Sequence, residues 1–439
     1  MKTYIMKSST SLMTVALLVA MVLPLTLHAQ KRDLQYYRTP DQRGVAVFEA
    51  PKQSDLVEFD GMMVRLGGAS TIQFQALTHE NMADEKLNDD DVNLNELADI
   101  GSNFNLATAN MDFDVQLAEG VRMHLRTYLS SRHHTEAWVK GGYIQFDALP
   151  FLNSDAVDNI MNSVRVKIGH MEVNYGDAHF RRSDNGATIH NPLVGNYIMD
   201  SFTTEVAGEV YYMNNGIMVM VGLTNGKLNQ SVKNPGSTSP SIIGKVGYDK
   251  QINEQLRVRL TGSIYTTSKS GRTYLYSGDR AGSRYYYALE NVLSSSGSQY
   301  KSGRYDPGFR NELTAIMFNP FVKFGGFEFF GMFETASGKA SAEADTRTWN
   351  QIAGELTYRF GESEDIFVVA RYTQASGEEA GTLNDLTITR LQAGAGWFMT
   401  KNVLAKVEYV DQSHDGWASS NIFHEGSFSG VMLEAVISF

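Results

Sequence analysis

The chain has 439 residues, with 38 basic and 49 acidic side chains and no cysteine. The acidic balance argues against nucleic acid as a partner, and the missing cysteine excludes both structural disulfides and a lipid-modified cysteine. Aromatic residues and glycine are plentiful (21 Tyr, 23 Phe and 39 Gly) while prolines number 9, and no long stretch repeats every 3.6 residues, so the chain reads as all-β.

The first element is a leader. Lys2 and Lys7 precede the apolar run Leu12 to Leu27, and Ala29 offers a cleavage point, which is the pattern of a secretory signal over residues 1–29. Its apolar run is too short and wrongly flanked for a spanning helix, and no later stretch approaches the ~20 apolar residues such a helix needs. Removing the leader takes the formal charge from −11 to −13. Residues 30–58 carry several charges and no strand pattern. They are expected to form a short periplasmic extension, or to line whatever the following domain, residues 59–439, encloses.

From there the chain alternates. In residues 107–117, Ala107, Ala109, Met111, Phe113, Val115 and Leu117 share one face, and Thr108, Asn110, Asp112, Asp114 and Gln116 share the other. The next run sets Val121, Met123, Leu125, Thr127 and Leu129 against Arg122, His124, Arg126 and Tyr128. The linker Ala118-Glu119-Gly120 is a three-residue hairpin loop. It pairs Leu117 with Val121 and faces Asp112 with Arg126 and Asp114 with His124, as antiparallel sheets favour. Asn215-Gly216 is a strong two-residue hairpin signal that pairs Tyr212 with Val219 and Val210 with Val221. Gly325-Gly326 pairs Phe324 with Phe327 and Val322 with Phe329, and brings Lys323 to Glu328. A one-residue slip would scramble every one of these faces.

Sixteen segments follow this pattern, at about 61–77, 103–117, 121–131, 136–147, 163–172, 203–213, 217–224, 241–249, 256–267, 310–324, 327–336, 349–360, 365–374, 386–399, 402–412 and 428–439. Many exceed the ~5–6 residues of globular strands and approach the ~9–11 that a tilted strand needs to cross a bilayer. Large apolar side chains fill one face, ions stand mid-strand on the other, and aromatics such as Tyr211, Tyr212, Trp397, Phe398 and Tyr409 gather near strand ends. Short links (118–120, 214–216, 250–255, 325–326, 361–364, 400–401) alternate with long ones (78–102, 173–202, 225–240, 268–309, 337–348, 375–385, 413–427). These are the habits of a transmembrane antiparallel β-barrel of about 16 strands. The link 148–162 breaks the alternation, being long where a short turn is expected, which suggests a small helix or a different strand count there.

The last residues, VMLEAVISF, place Val431, Leu433, Ala435, Ile437 and Phe439 on one apolar face. This resembles the terminal signal of Gram-negative outer-membrane barrels, and from about Gly61 onward the chain looks like a porin. The stretch VRVKIGHMEVNYGD, followed by a polar loop, resembles the phosphate-selective-type porins of Bacteroidetes. The resemblance implies an outer-membrane location among lipid and lipopolysaccharide, insertion by the barrel-assembly machinery through Phe439, passive diffusion of small hydrophilic solutes, and a homotrimer. It also implies that loop 173–202 folds into the lumen and narrows it.

Residues 170–190, HMEVNYGDAHFRRSDNGATIH, carry the chain from the fifth segment into that loop. Asp177, His179, Arg181, Arg182 and Asp184 are the candidate constriction residues, with Asn185-Gly186 as a turn. Inward positions Arg122, Arg126, Arg165 and Lys167, with Arg257 and Arg259 further on, suggest a basic strip on one wall facing Glu334 and Glu355. Such a strip would favour anions by its field. A second reading is that Arg181 and Arg182 pair with Asp177 and Asp184 and pin the loop; both can hold.

Other functions leave weaker traces. Ser183 with His179 or His190 could be imagined as a hydrolase pair, but nothing in the spacing supplies a third orienting group and the G-x-S-x-G elbow is missing, so no enzyme is expected. Asp89-Asp90-Asp91 lacks the glycine of a calcium loop, and His133-His134 lacks zinc spacing, so neither metal nor cofactor is expected. A barrel serving as adhesin or structural protein stays open, because loop 268–309, with Tyr285-Tyr286-Tyr287, could bind a partner or close the mouth. A plugged transporter would require a far larger N-terminal domain.

Overall fold

Strict alternation over long segments leaves one solution for the backbone polar groups in lipid, a sheet closed on itself. The computed structural model of the chain describes residues 33–52, 57–104, 108–130, 137–184, 188–226, 238–277, 285–294, 300–381 and 384–439. The leader, the His133-His134 pair and the Asn185-Gly186 turn lie outside the described residues. Sixteen strands run in chain order: β1 Met63–Glu80, β2 Thr108–Ala118, β3 Val121–Ser130, β4 Ala137–Phe146, β5 Val164–Glu172, β6 Thr204–Asn214, β7 Ile217–Thr224 and β8 Ser241–Gln251. They continue as β9 Leu256–Thr267, β10 Glu312–Phe324, β11 Phe327–Lys339, β12 Arg347–Phe360, β13 Ile366–Glu378, β14 Asp385–Thr400, β15 Val403–Asp415 and β16 Ser427–Ser438. A two-residue strand, Asn103–Phe104, lies on the same edge of β1 as β2.

Each strand pairs antiparallel with its sequence neighbours, and β16 returns to β1 from Ala69↔Ser438 to Glu80↔Ser427, closing the ring. The registers are those the turn lengths require: Asp112↔Arg126 and Asp114↔His124, Tyr212↔Val219 and Val210↔Val221, Lys323↔Glu328 and Phe324↔Phe327. Asn215 and Gly216 both take positive φ (48° and 86°), the hand that a two-residue hairpin demands. One pairing differs. A register shift between Gln116 and Ala118 sets Ala118, rather than Leu117, opposite Val121, because a bulge absorbs one residue of the three-residue loop.

Val210, Val221, Ile316, Phe318, Leu356, Leu391 and Leu433 point outward and are exposed, while their neighbours Glu209, Met220, Met317, Glu355, Gln392 and Met432 point inward and are buried. An apolar exterior of this extent needs lipid, and among the described residues no helix is long and apolar enough to cross a membrane. The irregular link after β4 holds a 3-10 turn, Pro150–Leu152, and a short helix, Asp155–Met161.

The interior is filled. Loop 173–203 folds in from the long-loop end, and parts of loop 268–311 follow, burying Leu275, Tyr276, Tyr285, Tyr286 and Leu289. Leu34–Lys52 lines the opposite, short-turn end instead of extending away from the barrel: Gln42 N–H donates to Lys401 O at 2.8 Å and Phe48 is buried. The lumen is thus occupied without a large N-terminal domain, by three segments of the chain itself.

Candidate functional site

Loop 173–203 leaves β5 where the β5–β6 ladder ends at Glu172↔Thr204. Wall side chains then take over from water as partners of its polar groups. Arg259 on β9 holds Asp177 through two bonds of 2.8 and 2.7 Å, with Thr261 at 2.8 Å. The 3-10 turn Ala178–Arg181 brings Arg181 to Glu355 at 2.7 Å and Glu328 at 3.7 Å. Arg182 forks onto Asp200 at 2.8 and 2.6 Å, and Asp184 meets Lys140 at 3.2 Å. Burial alone would raise the Asp177 and Asp184 carboxyls; the cations beside them outweigh it and hold both below the usual range.

The loop backbone is capped in the same way. Arg371 donates to Gly195 O at 2.9 Å, Arg390 to Asn196 O at 2.6 Å and Lys406 to Leu193 O at 2.9 Å. Glu408 accepts the Val194 and Gly195 N–H groups at 2.6 and 3.1 Å, and Gln351 Oε1 accepts Met199 N–H at 2.7 Å. A buried loop must satisfy its backbone internally, and these inward ions and amides do so. Of the wall residues that hold the loop, Arg259 and Glu355 stand among the candidates drawn from sequence; those that cap its backbone do not. The signal for them was an unusual density of inward ions on β12–β16.

Arg181, Arg182, Asp177 and Asp184 therefore do not line open space. Both arginine side chains are 1% exposed and the two aspartates at most 2%, because each is held by partners on the wall or within the loop. The partners of Arg181 are on the wall, and those of Arg182 include Asp184, at 3.4 Å, besides Asp200. Glu355 serves Arg181 and Arg371, and Glu334 accepts from Tyr175 and Tyr276 at 3.0 and 2.7 Å, so neither faces the basic strip across water.

A cavity of about 230 Å³ remains between Leu34–Lys52, loop 173–203 and the wall β3–β6. The sequence candidates Arg122, Arg126, Arg165, Lys167 and His179 all line it, with Arg38 and Lys140. The geometry follows from register: Arg122↔Gln145 and Gln145↔Lys167 are directly opposite, so the three form one inward row across β3, β4 and β5. Arg126 and Lys167 keep 19% and 16% exposure. Each wall cation has a carboxylate beside it: Arg126 with Asp112 at 2.7 Å, Arg122 with Asp114 at 3.3 Å, Arg165 with Asp147 at 2.8 Å and Lys167 with Glu209 at 3.5 Å. The carboxylates that reach the cavity itself are Glu49 and Glu172. Arg122 Nε and Arg165 Nη2 are buried without a hydrogen-bond partner, and Arg38 spends its donors on the Gly44 and Phe180 carbonyls at 2.9 to 3.1 Å.

The backbone is similar to two solved outer-membrane structures. One is OmpTdeltaL8, a loop L8 deletion mutant of OmpT, an outer membrane protein of Vibrio cholerae, at 11% identity over 87% of this chain and 100% of that one, TM-score 0.50. The other is an anion-selective porin from Comamonas acidovorans, at 11% identity over 86% of this chain and 100% of that one, TM-score 0.50. The fold is that of outer-membrane porins. No family model matches the sequence, and no curated protein does. Asp89, Asp90 and Asp91 stand exposed on the first long loop, and among the described residues no group of three His, Asp or Glu side chains is placed to hold a metal.

Proposed function

We propose that the chain, after loss of residues 1–29, is a narrow outer-membrane channel for small hydrophilic solutes that favours anions. The observation that carries this reading is the cavity beside β3–β6, where Arg38, Arg122, Arg126, Lys140, Arg165 and Lys167 meet Glu49 and Glu172. Cations concentrated in a low-dielectric constriction raise the local concentration of anions even in an acidic protein. The likeness of VRVKIGHMEVNYGD to phosphate-selective porins of Bacteroidetes makes inorganic phosphate the first anion to try beside chloride. Insertion through the C-terminal signal at Phe439 and assembly as a trimer belong to the same reading.

A channel fits the loop better than an enzyme does. Ser183 Oγ accepts from Asn191 at 2.9 Å, and the ring nitrogens of His179 go to Glu172 and Asn174 at 2.6 and 3.0 Å, which leaves Ser183 and His179 without each other. The filled lumen favours a second reading, a closed structural barrel. Reversal potentials in a potassium chloride gradient separate them. The expected result is a small conductance with anion preference that falls in Arg122→Gln and Lys167→Gln; cation selectivity removes the anion preference, and silence in every variant of the barrel removes the channel.

A further inference from the structure

Leu34–Lys52 visits four stations around the short-turn end of the ring. Beside the β2–β3 turn, Gln35 accepts from Gly120 N–H at 2.9 Å and Tyr37 donates to Asp114 at 2.9 Å. Near the turns before β13 and after β14, Gln42 donates to Asp365 and to Lys401 O, at 3.1 and 2.8 Å. On β8 and β9, Glu49 pairs with Lys245 and Arg259 at 2.9 and 2.7 Å, and Arg257 caps Ala46 O at 2.9 Å. At the end of β4 and the start of β5, Lys52 pairs with Asp147 at 3.2 Å and Arg165 caps Ala50 O at 2.8 Å. A segment touching β2, β14, β9 and β4 in succession must cross the mouth.

Its fastening differs from that of loop 173–203. Loop 173–203 is anchored at both ends in the ladder and buries Leu193, Val194, Ile198 and Met199 completely. Leu34–Lys52 precedes the first strand and takes part in no strand pairing, so its departure breaks no rung of the barrel. It also packs against empty space: Tyr36, Tyr37, Arg38 and Glu49 form one side of the basic cavity. Moving it aside joins that cavity to the periplasm, and its main packing cost is the withdrawal of Phe48 from Phe180, Phe321 and Phe330.

We propose that Leu34–Lys52 is a displaceable strap that closes the periplasmic mouth of the channel. The proposal rests on the channel reading. It is tested in an otherwise cysteine-free chain. Three variants are reconstituted in planar bilayers: deletion of 34–52, the pair Gln42→Cys with Asp365→Cys joined by a short bis-maleimide, and Ala50→Cys exposed to a bulky impermeant maleimide on the periplasmic side. The expected results are a several-fold rise in conductance on deletion, loss of openings on cross-linking, and labelling of Ala50→Cys. Where the deletion fails to fold, the cross-linked pair carries the decision. Deletion or cross-linking that leaves an active parent channel unchanged overturns the strap and spares the channel. If no variant conducts, the channel reading falls, and Ala50→Cys labelling then decides the strap: a labelled strap leaves the mouth, an unlabelled one does not.

Discussion

Arg182→Gln removes the guanidinium that holds Asp200 through two bonds of 2.8 and 2.6 Å. The Asp200 carboxylate then keeps Asn196 at 3.2 Å and Arg304 at 3.7 Å, and Asp184 keeps Lys140 at 3.2 Å. Burial would raise the Asp200 carboxyl, but Arg182, with Arg304 and Asn196, outweighs it and holds the group below its ordinary value, so the variant leaves a buried carboxyl that has lost its main compensation. Breaking a buried pair from one side costs roughly 3–5 kcal/mol, and the surviving partners place this case at about 3 kcal/mol. Because the wall is held by its own ladder, the loss falls on the loop: exchange of the 188–203 amides should quicken by about a hundredfold, while the β10–β13 amides stay as slow as in the parent. Hydrogen exchange followed by mass spectrometry reads both at once. Arg182→Met with Asp200→Leu removes both charges and should restore most of the protection, since a buried pair replaced by apolar groups is often near neutral. A single variant with parental loop exchange and an altered reversal potential would instead mean that Arg182 faces water as a filter, and would refute the latch.

Two further outcomes follow from particular groups. Glu290 sits where loop 268–311 clasps the first long loop, its carbonyl accepting Ala98 N–H at 2.9 Å while Val292 N–H donates to Glu96 O at 2.9 Å; burial pushes its carboxyl from 4.5 up to about 7, against Lys301. Below the ordinary value both closed and open forms are protonated, so the cost of ionising it in place begins there and is complete above about 7; proteolysis of this clasp should be slower at acid than at mildly alkaline pH, and Glu290→Gln should flatten the difference. Gly430 lies in the seam opposite Leu77 with φ +146°, and a Cβ there would stand 2.2 Å from Ala76 O. Gly430→Ala should cost at least about 1–3 kcal/mol and lower the fraction of heat-modifiable barrel after refolding in detergent, whereas Gly262→Ala on β9, with open space around the added Cβ and no positive φ, should change stability by about 1 kcal/mol at most. Equal folding of the two would remove the seam argument.

The wall was legible because period two and turn length together fix register. Asp112 opposite Arg126 and Lys323 opposite Glu328 follow from them with no tertiary knowledge, whereas alternation marks Arg122 and Lys167 only as inward, and the row that joins them through Gln145 appears in the structure. The bulge at Leu117 escaped because a three-residue loop can absorb its odd residue on either strand. The filling of the lumen was legible only through the porin resemblance, which sends loop 173–202 inward, and not from the residues themselves. Arg181 and Glu355 are 174 residues apart in sequence, and no periodicity states which loop turns inward or which strand it will meet. Leu34–Lys52 shows Tyr36, Tyr37 and Phe48 without any regular spacing, so nothing marked them as residues that would be buried in a barrel mouth. An inward arginine reads as a filter if the lumen is wet and as an anchor if it is packed, and the sequence of one strand does not say which.

The position of the cavity has a physical cause in how the inward charges are matched. On β3–β6 the cations find carboxylates on the same wall: Arg126 has Asp112, Arg122 has Asp114, and Lys167 has Glu209. These three are matched in part on the wall itself, although Lys140 on β4 reaches the loop at Asp184; fewer wall groups are left over here than on β8–β16, so less backbone is drawn across them and space stays open. On β8–β16 the wall has donors and acceptors left over after pairing. Arg259 and Lys245 reach Asp177, Arg371, Arg390 and Lys406 reach loop carbonyls, and Glu408 reaches loop N–H groups. Unpaired buried ions are costly, so this wall is stable only when loop 173–203 lies against it. The loop is held to one side by what that side lacks, and the opening is left where fewer wall groups call for backbone.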